Sequence, residues 1–77
     1  MPVPITAADL GSDRVRVSLW YVRPGEHVYE GDRVVELLLP GATFDVASPA
    51  TGVVAECLAL TGDPVEIGTV LGTIHPE

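Results

Sequence analysis

The sequence predicts an all-β domain, a sandwich or barrel assembled from two similar halves. Three observations lead there. Turn formers, eight Gly and seven Pro, are spread at even intervals along the chain. The Val-, Leu- and Ile-rich runs between them are short, of strand rather than helix length. A pattern of glycine, acid, valine and glycine also occurs twice at a constant offset.

The 77 residues suffice for one domain, 1–77, with one modest core. Net stability on the usual per-residue scale is roughly 4–8 kcal/mol. With 47% hydrophobic residues the chain is too apolar for a disordered tail. Its one cysteine, Cys57, excludes an internal disulfide. One Cys and two distant histidines, His27 and His75, also give no metal site.

Taken in order, strands are expected at Val3–Ile5, Val15–Val22, Val34–Leu39, Thr43–Ala47, Gly52–Leu58 and Val70–His75. Shorter extended pieces fall at His27–Val28 and Val65–Glu66, and Thr6–Asp9 allows one loose helical turn. In Arg14–Leu19 the alternation directs Val15, Val17 and Leu19 to the core. Along Gly52–Leu58 apolar residues occupy both parities, so this strand is buried on both faces or turns a corner. The turns between strands carry Pro24-Gly25, Gly31-Asp32, Pro40-Gly41, Ser48-Pro49, Thr51-Gly52, Gly62-Asp63-Pro64 and Gly68.

Sliding the chain by 37 positions brings Gly25 onto Gly62, Glu26 onto Asp63, Val28 onto Val65 and Gly31 onto Gly68. The following strands superpose Val34 on Leu71 and Leu37 on Ile74; upstream, Val17 meets Val54 and Tyr21 meets Leu58. The half-repeats run from about 14–39 and 51–76. Each half alone buries too little, so the two should pack face to face with approximate twofold symmetry.

Formal net charge is −7, from eleven acids and four bases, all four of them arginine: Arg14, Arg16, Arg23 and Arg33. An acidic surface argues against nucleic acid and anionic membrane as partners. No basic stretch leads into an apolar run near Met1, and the uninterrupted apolar runs, none longer than four residues, are far short of a membrane span. A cytoplasmic, reducing setting is expected.

The motifs and their order resemble the lipoyl/biotinyl-attachment family. Val22–Asp32 looks like the entry hairpin of a lipoyl domain, and Val34–Leu37 like the strand leading to the modified lysine. Ala42–Val54, with its Ser-Pro and Gly-Val-Val marks, resembles the returning strand, and Gly62–Leu71 the closing hairpin. Asp9-Leu10-Gly11 is similar to the opening of lipoyl domains in acyltransferase components of 2-oxoacid dehydrogenase complexes. The resemblance implies a flattened barrel-sandwich of two four-stranded antiparallel sheets. It also implies a lysine at the tip of a tight hairpin.

Aligning Glu36 and Ala42 with that family puts Gly41, preceded by Pro40, at the lysine position. Amide linkage of lipoate or biotin needs a primary amine on a long stem, and the sequence contains no lysine at all. No cofactor is therefore expected. Pro40-Gly41 has the residues of a type II turn, with no further role required.

Leu37-Leu38-Leu39 makes the approach to the tip apolar, with Leu38 facing opposite to its neighbours and Phe44 on the returning strand. Local packing explains part of this. The other reading is an interface of Leu38, Leu39 and Phe44 for a partner protein or a second copy.

Cys57 has apolar neighbours and no activating motif, which describes an inert thiol. His27, in a turn, and His75 read as surface histidines, and Trp20-Tyr21 as core anchors. Acids stand singly, with no pairing for acid–base catalysis and no phosphate loop, so no enzyme activity is expected.

The sequence thus favours an interaction or scaffold module related to 2-oxoacid dehydrogenase complexes, with such an enzyme as partner and homodimerisation possible. The alternative is a degenerate or regulatory carrier partner of a dehydrogenase or carboxylase system. A membrane-fusion-adaptor-like module ranks below both, because Pro40–Ala42 joins the halves directly where adaptors carry a long helical insertion.

Overall fold

The computed structural model describes residues 1–77 and consists of eight strands with no helix. They are β1 (Val3–Thr6), β2 (Val15–Trp20), β3 (His27–Val28), β4 (Arg33–Leu39), β5 (Ala42–Ala47), β6 (Gly52–Cys57), β7 (Pro64–Val65) and β8 (Val70–Pro76). One sheet has the order β1-β8-β6-β3 and the other β5-β4-β2-β7, all neighbours antiparallel. Thr6–Asp9 forms no helical turn; the backbone leaves β1 as a loop after Thr6.

The 37-residue offset maps one sheet onto the other. β2 and β4 correspond to β6 and β8, and β4 and β8 carry the same burial pattern residue for residue. The offset holds for single hydrogen bonds. Val17 N–H donates to Asp63 O at 3.0 Å, and Val54 N–H to Glu26 O at 2.8 Å. Tyr21 N–H donates to Val34 O, and Leu58 N–H to Leu71 O, both at 2.9 Å. The repeated glycines share left-handed backbone, with φ of 95° and 88° at Gly25 and Gly62, and 94° and 82° at Gly31 and Gly68.

The core lies between the sheets. Val34, Val35, Leu37, Leu71 and Ile74 have no exposed surface, and Ile5, Val17, Val28 and Val54 almost none. Each such aliphatic chain contributes about 2 kcal/mol relative to leaving it in water. Leu19 does not join them. The β2–β4 register shifts between Val17 and Leu19, so the bulge turns Leu19 out to 40% exposure and brings Trp20 inward. The β6–β8 pair shifts at the equivalent place, between Val54 and Glu56. That bulge resolves the mixed parity of Gly52–Cys57: Val54 and Cys57 turn inward from either side of it, and Val53 outward.

The halves exchange volume where they meet. Trp20 reaches across to Gly72, where an added Cβ would lie 2.8 Å from the indole and 2.4 Å from the Glu56 carbonyl oxygen. At the positions related by the offset stand the smaller Cys57 and the larger Val35. Trp20 is anchored by its indole N–H, which donates to Ala59 O at 2.7 Å.

Candidate functional site

The hairpin β4–β5 follows from its turn. Pro40 and Gly41 lie between the paired residues Leu39 and Ala42, and Gly41 has φ of 75°. That closure sets the register: Leu38 opposite Thr43, Leu37 opposite Phe44, Glu36 opposite Asp45. The far end is held by buried Ser48. Its N–H donates to Asp32 O at 2.7 Å, its carbonyl accepts from Gly31 N–H at 2.9 Å, and its hydroxyl donates to Ala50 O at 2.7 Å.

The three candidate interface residues do not share a face. Phe44 is paired with fully buried Leu37 and so lies on the inner face, yet at the sheet edge it is 44% exposed. Leu39 is half-buried on that same face. Leu38, 48% exposed, projects from the outer face between Arg16 and Thr43.

Behind the tip, the outer face carries a polar cluster that sequence reasoning did not assemble. Tyr21 Oη lies 2.9 Å from Glu36 Oε2 and 2.8 Å from Asp45 Oδ1, so one phenolic proton is shared between two carboxylates. Ser18 donates to Glu36 Oε1 at 2.9 Å, and Arg33 reaches Asp45 at 3.5 Å while its guanidinium lies 5.2 Å from the centre of the Tyr21 ring. Hydrogen bonding to Asp45 first, then to Glu36, pushes the Tyr21 pKa up to about 12. The Glu36–Asp45 pairing was derivable from a two-residue turn at Pro40-Gly41. The position of Tyr21 depends on the β2–β4 bulge and that of Arg33 on the register shift of β4 against β5, and these were not.

The remaining candidates lie elsewhere. Cys57 is half-buried, its thiol pushed up by burial first and then by the Glu26 charge, which is opposite to an activated nucleophile. His27 lies in β3, the short extended piece expected at His27–Val28, and it contacts Glu77 and meets the Tyr29 ring edge-on at 5.0 Å. His27 and His75 flank Val53 on the outer face of the other sheet.

A lipoyl or biotinyl group would require an amine at the tip. A Cβ at Gly41 would meet nothing within 4 Å, so a side chain has room there, but the residue has none and no lysine stands elsewhere. The residues present do not fit either group.

Comparison with known proteins places this geometry. The family model described as "Biotin-requiring enzyme", covering biotinyl and lipoyl domains, matches residues 3–74. The chain is 31% identical over 58 residues to the dihydrolipoyllysine-residue succinyltransferase component of the 2-oxoglutarate dehydrogenase complex of Bacillus subtilis. It is 39% identical over 70 residues to the dihydrolipoyllysine-residue acetyltransferase component of the pyruvate dehydrogenase complex of Cupriavidus necator. These alignments cover 75% and 90% of this chain but only 14% and 13% of the relatives, so the chain corresponds to a small part of those proteins. The solution structure of the lipoyl domain of the 2-oxoglutarate dehydrogenase complex from Azotobacter vinelandii superposes with a TM-score of 0.71 at 25% identity, over 97% of this chain and 95% of that one. From the match across 3–74 and the two four-stranded sheets, one of them carrying the β4–β5 hairpin, the chain belongs to the biotinyl/lipoyl domain family.

Proposed function

We propose that this chain is a non-catalytic lipoyl-like domain that has lost its attachment point and works by protein–protein contact, as a scaffold or docking module of a 2-oxoacid dehydrogenase-type complex in the cytoplasm. The observation that carries this reading is Gly41 at the tip of an otherwise intact hairpin, in a chain without lysine. The names of its relatives, all components of such complexes, support the choice of partner. Retention of the two-residue turn favours docking through the tip, where Leu38 offers exposed apolar surface.

Two measurements test it. Intact mass after co-expression with lipoyl and biotin ligases should equal the bare polypeptide, and a lipoate or biotin increment overturns the reading. Capture of a purified 2-oxoacid dehydrogenase component should weaken at least about tenfold in Leu38→Glu, an exposed change that leaves stability within about 0.5 kcal/mol. Undiminished capture by that variant removes Leu38 from the interface.

A further inference from the structure

The twofold-related edge strands β1 and β5 differ in one respect that bears on association. Ala7 N–H donates to Thr69 O and Ala7 O accepts from Gly68, as Ser48 does with Asp32 and Gly31 in the other sheet. Ala7 and Ser48 thus direct both backbone groups inward. Antiparallel pairing alternates from there. Ile5 and Val3 turn toward β8, and Val46, Phe44 and Ala42 toward β4. The outward-facing residues are Thr6, Pro4 and Pro2 on one edge, and Ala47, Asp45 and Thr43 on the other.

The first edge is blunted. Pro4 and Pro2 have no N–H to offer at two of the three outward positions, the usual protection of an exposed edge. The second presents three free N–H groups and their carbonyls. It also bears Phe44, which sits on the inner face opposite Leu37 and yet is 44% exposed because no strand lies beyond it.

We infer that β5 is the pairing edge for a second copy of this chain, joining two four-stranded sheets into one of eight strands. The inference deepens the interaction-module reading and rests on it. The strand is self-complementary in one antiparallel register about a local twofold axis. Thr43 exchanges backbone hydrogen bonds with the partner's Asp45, and Asp45 with the partner's Thr43. Phe44 then faces the partner's Phe44 in the closely spaced, non-hydrogen-bonded position, and Ala42 faces the partner's Val46. This register places every apolar inner-face residue of β5 beside another and keeps the two Asp45 carboxylates from lying directly opposite each other. A register centred on Asp45 would oppose those like charges and set Phe44 against the partner's Val46 instead of ring against ring. With −7 on each copy, association should strengthen as salt rises.

Sedimentation velocity of the intact chain tests the state, and amide hydrogen exchange tests the place. The expected result is a dimer forming at concentrations on the order of 100 μM, with Thr43 and Asp45 amides protected in concentrated samples and exposed on dilution. Thr43→Pro should weaken association at least about tenfold, since it removes an outward donor and no internal bond; Phe44→Ala should weaken it while leaving the backbone edge intact. The exchange measurement needs no variant and stands even where Thr43→Pro fails to fold. A monomer up to about 1 mM overturns the proposal. So does a dimer whose concentration-dependent protection falls outside β5, or an edge protected only by another protein's segment. A monomer of unmodified mass would defeat this inference and leave the loss of the attachment point intact; an adduct would defeat the proposed function first.

Discussion

The two halves of the fold, the β5-β4-β2-β7 sheet as the first and the β1-β8-β6-β3 sheet as the second, share one backbone and divide the labour of the surface. Inside, they are nearly interchangeable. Strands β4 and β8 have the same burial pattern, bulges interrupt β2–β4 and β6–β8 at equivalent points, and Trp20 over Gly72 offsets the Cys57–Val35 combination in volume. Outside, they part. The outer face of the first half carries Ser18, Tyr21, Arg33, Glu36 and Asp45 in one hydrogen-bonded cluster. The same positions in the second half hold Ala55, Leu58, Val70, Thr73 and Pro4, and Thr73 Oγ1 is buried without a partner. The edge of the first half is open, and that of the second is closed by prolines. Interior positions answer to a shared core; exterior ones are free to diverge, so asymmetry there marks what this domain does rather than how it folds.

The largest expected effect tests the interchangeability of the interiors. Leu37→Ala and Ile74→Ala occupy related positions with no exposed surface, and each should cost about 3 kcal/mol in urea unfolding. Unequal losses, or two separate transitions, would mean that the halves do not share one core. Next comes the volume exchange. Gly72→Ala should cost about 2 kcal/mol and shift Trp20 fluorescence, because the new methyl group meets the Glu56 carbonyl and the indole. A neutral outcome would show that the interlock is loose.

The outer faces can be separated by titration. The folded Tyr21 pKa, about 12, lies above its ordinary value of 10.0. The folded state therefore holds the phenolic proton more tightly than the unfolded chain does. The stability this represents is complete below about pH 10 and is lost as pH rises toward 12. Phenolate absorbance should show one late-titrating tyrosine, and Tyr21→Phe should abolish that step and the associated alkaline loss of stability. The smallest effect concerns Cys57, whose raised thiol pKa should make alkylation at neutral pH slower than that of a free cysteine. Rapid modification would contradict its half-buried, unactivated setting.

Much of this was legible from residue types. Evenly placed turn formers, the recurrence of Gly-acid-x-Val-x-x-Gly and the Pro40-Gly41 corner each act within a few residues, and together they specified eight extended segments and the tip of the hairpin. Leu19 was misassigned because alternation assumes an unbroken pleat, and a bulge one residue long reverses every side chain beyond it. Leu38 and Phe44, two β4–β5 residues that appear adjacent on paper, sit on opposite faces for the related reason that cross-strand partners, Leu37 with Phe44 and Leu38 with Thr43, share a side.

By itself the sequence determined the strand class, the internal repeat and the absence of any amine-bearing side chain at the tip, because these depend on local backbone preference and on covalent composition. Only the tertiary structure decided which residues meet across strands: the sharing of the Tyr21 proton between Glu36 and Asp45, the seat of Trp20 over Gly72, and which edge of each sheet keeps its hydrogen-bonding groups free. Those depend on register and bulges, which are set cooperatively by the whole core and not by any one segment.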